Sequence, residues 1–168
     1  MFVNRAAELA FLNRVLARQQ HPGPGQLVML YGRRRLGKTA LLRHWAEASG
    51  VPFTHWVAEQ APAGVQRRSL YAQIMGREPP QRGTTFASWS DLWEVVAPAS
   101  QTARRIIILD ELPYAAAADP AMLSALQYAW DWRFERSQAM IVLCGSHVHT
   151  MELLMAYASP LYGRMTGQ

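Results

Sequence analysis

The segment Gly32-Arg-Arg-Arg-Leu-Gly37-Lys38-Thr39 matches G-x-x-x-x-G-K-[ST] at every fixed position. It follows the apolar run 26–31 and opens a segment with helical spacing, which is the strand–loop–helix context that the motif requires. Glycines let backbone N–H groups point at a phosphate, and the start of the helix adds its positive end. The lysine reaches the β- and γ-phosphates, and the threonine hydroxyl serves a magnesium ion. The sequence therefore predicts a nucleoside triphosphate site with these residues at the phosphates: Gly32, Arg33, Arg34, Arg35, Leu36, Gly37, Lys38, Thr39 and Ala40.

Two adjacent carboxylates, Asp110 and Glu111, follow the apolar run 106–109. Asp110 is placed to hold magnesium together with Thr39, and Glu111 to orient and deprotonate an attacking water. Adjacent carboxylates at a strand end favour hydrolysis over binding alone, although a polar turn that closes the strand is the alternative. We predict Thr39 and Asp110 as metal ligands, and Glu111 and Lys38 as catalytic residues.

Ser146 follows another apolar run, 139–145. Ligands of open α/β sheets bind at the carboxyl ends of the strands, so this hydroxyl is predicted to lie beside the γ-phosphate and the attacking water as a polar sensor. The alternative is a simple N-cap of the next helix.

The alternation of short β-branched runs with helical runs is typical of an α/β domain with a parallel sheet. Strands are predicted at 26–31, 52–58, 104–112 and 139–145. Helices are predicted at 6–19, from the turn 32–39 to a cap at Gly50, from an N-cap at Ser88 with Asp91, after 119–120, and at 148–157. Residues 64–75 have weak helical spacing, and the longest loop is predicted at 76–85. The length of 168 residues predicts one domain over 1–168.

Composition excludes several classes of protein. Half of the residues are hydrophobic and 17% are charged, which is typical of a globular domain, and no apolar run approaches the roughly 18 residues of a membrane span. The start of the chain lacks the features of a signal peptide, and the single cysteine, Cys144, lies in an apolar run where packing is its ordinary role. A cytoplasmic location is therefore expected. The net charge of +5 permits a nucleic-acid partner without requiring one.

Five segments resemble, in this order, the prokaryotic (archaeal-type) ATPase family of AAA+/STAND-like P-loop proteins: Phe2–Arg5 with Glu8–Leu9, Tyr31–Thr39, Leu109–Tyr114, Cys144–Ser146 and Ser159–Gly167. The likeness covers nearly the whole chain. It implies an α/β, three-layer P-loop NTPase fold, with a parallel sheet flanked by helices and a full strand order of 5-1-4-3-2. It also implies ATP and Mg²⁺ as ligands. ATP is preferred to GTP only through the resemblance, although the guanine-reading run N/T-K-x-D is absent.

The resemblance also implies roles for residues near the two ends of the chain. It places Phe2, Asn4 and Arg5 at the adenine, and it makes Arg164 a candidate sensor of the γ-phosphate, in its own subunit or a neighbouring one. A solvated loop arginine is the alternative for Arg164.

Members of the family continue beyond the part that matches this chain into a fifth strand, a lid and a C-terminal domain. We therefore expect a fragment that lacks the fifth strand and the lid, has a bare edge on its first strand, and turns over weakly. A homo-oligomer, and a DNA or protein partner bound through the missing C-terminal region, are the expected partners besides ATP; a membrane is not expected.

The resulting prediction is a magnesium-dependent ATP hydrolase whose cycle moves a lid or a partner. A nucleotide-responsive DNA- or protein-binding module with little hydrolysis remains the alternative. A small-molecule kinase is disfavoured, because a kinase needs no water-activating carboxylate beside Asp110.

Overall fold

The computed structural model describes residues 5–18, 24–77, 86–156 and 158–167. Within them the strands are β1 (Gln26–Tyr31), β2 (Phe53–Val57), β3 (Arg105–Asp110) and β4 (Ala139–Gly145). The helices are α1 (Ala6–Ala17), α2 (Lys38–Ser49), α3 (Ala63–Met75), α4 (Trp89–Val96), α5 (Pro98–Gln101), α6 (Leu112–Ala118), α7 (Ala121–Ala129) and α8 (Val148–Met155). A π-helical turn, Trp130–Phe134, continues α7.

The strands form a parallel sheet in the order β1-β4-β3-β2. Tyr31 is in register with Gly145, and Val57 with Asp110, so the carboxyl ends of neighbouring strands meet at one edge of the sheet. The segments that follow β1, β3 and β4 carry the predicted site residues. The topology therefore places these segments at the same edge of the sheet.

Alternate residues of each strand face opposite helical layers, because side chains in a strand alternate in direction. On β3, Ile106 and Ile108 pack in a core with α1 and α2. Ile107 and Leu109 pack in a second core with α3, α4, α6, α7 and α8. The sheet is thus covered on both faces, and the predicted three-layer α/β fold is confirmed.

Local chemistry explains several element boundaries. Gly50 ends α2 in a left-handed conformation (φ 69°), as predicted from its place after the helix. The hydroxyl of Ser88 accepts the backbone N–H of Asp91 while the Asp91 carboxylate accepts that of Ser88, which confirms the predicted start of α4. The predicted loop at 76–85 lies largely outside the described residues, since 78–85 are not among them.

The third strand was predicted to reach residue 112, and this boundary is wrong. Glu111 takes a left-handed backbone (φ 51°), which ends β3 at Asp110, and α6 begins immediately afterwards. The sequence prediction contained no helix here because the alanine run 115–118 is short and without periodicity.

The outer edge of β1 is not bare, contrary to the prediction. The N–H of Thr166 donates to the carbonyl of Leu27 (2.6 Å), and the N–H of Met29 donates to the carbonyl of Gly167 (3.1 Å). Gly167 thereby forms a parallel bridge with Val28. Residues 166–167 lie beside β1, at the position that the strand order 5-1-4-3-2 gives to a fifth strand.

Candidate functional site at the carboxyl edge of the sheet

The phosphate loop connects β1 to α2. Arg35 (φ 62°) and Gly37 (φ 73°) both have left-handed backbones, a conformation that turns successive N–H groups into an anion-binding concavity. The buried Lys38 ammonium donates to the carbonyl oxygens of Gly32 (2.7 Å) and Arg33 (2.8 Å). Both acceptors are neutral, so the ammonium keeps its full charge for an anion.

A cavity of about 450 Å³ lies over this loop. It is lined by the loop and first turn of α2 together with the ends of β3 and β4: Arg34, Arg35, Gly37, Lys38, Thr39, Ala40, Arg43, Glu111 and Ser146. The structure therefore brings most of the predicted phosphate, metal and catalytic residues to one space.

Asp110 lies at the end of β3 and is 1% exposed. Its Oδ2 accepts the Thr39 hydroxyl at 2.7 Å and lies 3.2 Å from Nε2 of His55, while Oδ1 accepts the Glu111 backbone N–H at 2.9 Å. Burial raises the pKa of Asp110, but the hydrogen bonds from His55, Thr39, Cys144 and the Glu111 backbone outweigh it, so the pKa lies below its ordinary value. The carboxylate is therefore held in its charged form.

Thr39 and Asp110 suit a magnesium ion, because Mg²⁺ prefers oxygen ligands and these two oxygens are 2.7 Å apart. Across the described parts of the chain, no group of three or more His, Cys, Asp or Glu side chains could hold a metal. One hydroxyl and one carboxylate, those of Thr39 and Asp110, match the usual protein contribution to a Mg²⁺–nucleotide site, in which the phosphates and water complete the coordination.

Glu111 and Ser146 meet across the same edge. The Ser146 hydroxyl lies 2.9 Å from both carboxylate oxygens of Glu111, and the Ser146 N–H donates to Oε2 at 3.3 Å. Ser146 is buried, so this hydrogen bonding restricts the orientation of the carboxylate. The Ser146 hydroxyl contacts Glu111, and the N-cap of α8 is the next residue, His147, which makes no side-chain capping hydrogen bond.

Arg5 ties the start of the chain to the phosphate loop. Its Nη1 donates to the Glu8 carboxylate (2.6 Å), and its Nη2 donates to the carbonyl of Leu36. Phe2 and Asn4, the other residues expected at the adenine, lie outside the described residues. The structure thus places Arg5 against the loop, and its contact with a base stays a prediction.

Arg34 and Tyr114 form a link that the sequence prediction did not contain. A guanidinium nitrogen of Arg34 donates to the Tyr114 hydroxyl, and the Tyr114 ring packs edge-on against His147 with ring centroids 5.6 Å apart. Tyr114 comes three residues after Glu111, and His147 directly follows Ser146. The link therefore joins the phosphate loop after β1, the helix α6 that follows β3, and the turn that follows β4.

Arg164 lies elsewhere, and the expectation that it reaches the phosphates of its own chain needs correction. Its guanidinium donates to both carboxylate oxygens of Asp131, at 2.6 and 2.7 Å. It lines a separate cavity with Gly25 and Gln26, at the start of β1, which is the amino edge of the sheet. The hydrogen bonds that Arg164 donates to Asp131 raise the pKa of Arg164 above its ordinary value, consistent with a structural ion pair.

His55 is a further residue that the sequence analysis did not predict at the site. It is on β2, one strand away from Asp110, and only 10% of its side chain is exposed. The residue lies between Thr54 and Trp56 in a strand of five residues and belongs to no motif. A strand pairing of β2 with β3 would have been needed to place it beside Asp110.

These observations agree with a match to a protein-family model. Residues 2–168 match the model of an ATPase domain found predominantly in Archaea. The chain belongs to this family of ATPase domains. Its sheet and phosphate loop are accordingly those of a P-loop NTPase.

Relatives and solved structures are consistent with this assignment. The chain is 31% identical over 168 residues to an uncharacterized protein of Methanocaldococcus jannaschii, and it spans 99% of its own length but 35% of that protein. It is 47% identical over 47 residues to an uncharacterized ATP-binding protein of the same organism, covering 28% of this chain and 73% of the relative. The chain therefore spans about a third of the longer relative.

Two solved structures share the fold. The Walker-type ATPase of Pyrococcus abyssi superposes with a TM-score of 0.61 at 24% identity, covering 99% of this chain and 52% of that one. Drosophila ORC bound to DNA superposes with a TM-score of 0.72 at 18% identity, covering 99% of this chain and 42% of that one.

The sequence analysis predicted no membrane-spanning segment. In the portion that the structure describes, none of the helices has both the length and the apolar character needed to cross a bilayer.

Proposed function

We propose that the chain binds ATP with Mg²⁺ at the carboxyl edge of the sheet and hydrolyses it, and that hydrolysis drives a change of conformation or of partner. The observation that carries the proposal is the contact between Thr39 and Asp110 at 2.7 Å, beside the Lys38 loop and next to Glu111. The phosphate loop by itself accounts only for phosphate binding. A buried carboxylate joined to the loop's threonine, with a second carboxylate adjacent, adds a place for the metal and a proton acceptor.

Each side chain has a defined task in this proposal. Lys38 binds oxygens of the β- and γ-phosphates, and Thr39 and Asp110 hold Mg²⁺, which when bound neutralises charge on the phosphate oxygens. Glu111 takes a proton from water as the water oxygen forms its bond to the γ-phosphorus. The bond from that phosphorus to the bridging oxygen breaks, its electron pair leaves with ADP, and inorganic phosphate is the other product. Ser146 orients Glu111 through its hydroxyl.

The test is to measure ATP binding by calorimetry and phosphate release, with and without Mg²⁺, for the chain and two variants. Lys38→Ala should weaken ATP binding by about 100-fold, because it removes the charge that meets the phosphates. Glu111→Gln should keep ATP affinity and lower turnover by about 100-fold or more, because an amide cannot accept the proton.

Glu135→Gln is the matched control for the second variant. Glu135 is exposed and precedes β4, at the opposite edge of the sheet from Glu111. It should behave as the wild type. Unchanged turnover in Glu111→Gln would remove Glu111 from its proposed role.

A nucleotide-responsive binding module with little hydrolysis is the second candidate, and one observation favours it. The Ser146 hydroxyl lies 2.9 Å from both carboxylate oxygens of Glu111, so it competes with an attacking water for them. The DNA bound in the Drosophila ORC structure makes DNA the first partner to try. The net charge of +5 is compatible with that choice.

Ser146→Ala separates the two candidates. If Ser146 orients the base for hydrolysis, turnover should fall by about 10-fold. A rise in turnover would show instead that Ser146 restrains Glu111, and would favour the module that hydrolyses slowly. A DNA titration at fixed salt, with ATP and with ADP, then measures whether nucleotide changes DNA affinity. A second copy of the chain or another protein are the remaining proposed partners.

A further inference from the structure

We propose that Arg34 is the cation that contacts the γ-phosphate from within the same chain, and that Tyr114 is the positioning residue that holds it. This inference rests on the proposed function and deepens it. It gives to Arg34 the task that the sequence resemblance assigned to Arg164, which the structure pairs with Asp131 at the other edge of the sheet.

The position of Arg34 is the first argument. Its side chain lines the cavity of about 450 Å³ that also contains Lys38, Thr39, Glu111 and Ser146. Hydrolysis of ATP develops charge on the γ-phosphate oxygens and on the leaving oxygen, and an arginine beside them stabilises that charge. Lys38 already gives two of its ammonium protons to loop carbonyls. A second cation in the same cavity, Arg34, complements it.

The partner of Arg34 is the second argument. The Tyr114 hydroxyl accepts a hydrogen bond from the guanidinium and carries no charge, so the arginine keeps its charge for an anion. Arg43, another cation that lines this cavity, is different, because it pairs with the Glu47 carboxylate at 3.0 Å. Arg34 is thus held in place without being neutralised by this contact.

The fixation of Tyr114 is the third argument. Its backbone N–H donates to the carbonyl of Glu111 (3.0 Å), and its ring packs edge-on against His147, the residue after Ser146. The tyrosine is therefore attached to both loops that carry the proposed base and its serine.

The experiment measures ATP affinity, ADP affinity and turnover for Arg34→Ala and Arg34→Lys. Because Arg34 is assigned to the γ-phosphate, Arg34→Ala should weaken ATP binding by about 10-fold and leave ADP affinity within about twofold. Its turnover should fall by about 100-fold or more, as expected for an arginine that stabilises transferred phosphate. Arg34→Lys should recover only part of that loss, because lysine lacks the planar fork.

Tyr114→Phe tests the positioning role without removing the ring that packs on His147. Turnover should fall by about 3- to 10-fold in the wild-type background and should not change in the Arg34→Ala background, because the two residues act as a unit. Arg136→Ala is the matched control for charge removal, since Arg136 is exposed and precedes β4 at the opposite edge. A thermal unfolding curve verifies that each variant is folded.

Several outcomes overturn the inference. Equal losses of ATP and ADP affinity, or no loss of either, would show that Arg34 does not contact the γ-phosphate. The same loss from Tyr114→Phe with and without Arg34 would show that Tyr114 acts through another residue. If the wild type binds ATP without hydrolysing it, the hydrolysis proposal fails while the ratio of ATP to ADP affinity still tests Arg34. If the wild type does not bind ATP, both proposals fail.

Discussion

The two edges of the sheet both carry charged side chains, but they satisfy those charges in different ways. At the carboxyl edge, Lys38 bonds to carbonyl oxygens, and Glu111 bonds to a serine hydroxyl and N–H. At the amino edge, Arg164 and Asp131 satisfy each other through two hydrogen bonds. A charged side chain that bonds only to neutral groups can still attract a charged ligand. Two opposite charges that pair within the chain neutralise each other and attract a ligand less. The partner of a charged residue therefore indicates the role of that residue more directly than its motif does.

The largest effect expected from this comparison is a magnesium-specific loss in Thr39→Val. The variant removes the hydroxyl that contacts Asp110, so ATP affinity in Mg²⁺ should fall by about 100-fold. Affinity measured in EDTA should change by less than about twofold, because the metal is then absent. Thr39→Ser keeps the hydroxyl and is the control. Calorimetry in both buffers measures the difference, and equal losses in Mg²⁺ and EDTA would contradict the assignment.

At the amino edge, Gly25→Ala should act on stability instead. An added Cβ would lie 2.1 Å from the carbonyl oxygen of Phe134, so the free energy of unfolding should fall by about 2 kcal/mol. Gly50→Ala is the comparison variant, with nothing within 4 Å of its Cβ but a φ of +69°, and it should cost about 1 kcal/mol. Urea denaturation measures both. A smaller loss of unfolding free energy in Gly25→Ala than in Gly50→Ala would show that the chain around Gly25 accommodates the added Cβ with little strain.

Arg164→Ala sharpens the same contrast. Loss of the two hydrogen bonds to Asp131 should lower the free energy of unfolding by about 1 kcal/mol, because the pair is partly exposed. ATP affinity and turnover should stay within about twofold of the wild type, since the pair lies at the amino edge. Asp131→Asn should give a similar change in unfolding. A loss of turnover in Arg164→Ala without a loss of stability would restore the sequence-based prediction of a phosphate sensor.

The smallest effect concerns Glu8 and Arg5. The hydrogen bond from Arg5 lowers the pKa of Glu8 below its ordinary 4.5. The stabilisation from this pair is therefore complete above pH 4.5 and is lost as the pH falls through the lower folded-state pKa. Glu8→Gln should remove this acid dependence and cost less than about 0.5 kcal/mol at pH 7, because the pair is at the surface. Unfolding curves between pH 3 and pH 7 test it; an unchanged acid dependence would contradict it.

Much of the fold was predictable because its signals are local in the sequence. The strands 26–31 and 139–145 have the predicted bounds, and Ser88 and Gly50 cap the predicted helices. The end of β3 was not predictable in this way, because it depends on the left-handed backbone of Glu111. The pairing of Gly167 with Val28 joins residues far apart in the chain, and no local pattern encodes it.

The candidate site likewise contains residues that the sequence predicts and residues that it does not. The phosphate loop and the pair Asp110 and Glu111 are contiguous motifs, and the structure brings them together. His55 and Tyr114 have no motif, and they enter the site only through strand pairing and the turn into α6. A motif gives the residues that a ligand requires, and the tertiary fold gives those that hold them.

The thiol of Cys144 has a practical consequence. It lies on the central strand β4 with 0% exposure, and burial together with the charge of Asp110 raises its pKa. A protonated, enclosed thiol is inert toward disulfide reagents until the layer of α1 and α2 that covers it separates from the sheet. Because it is the only cysteine in the chain, the rate of labelling in native buffer measures openings of that layer, and ATP at the adjacent edge should slow that rate in proportion to its occupancy.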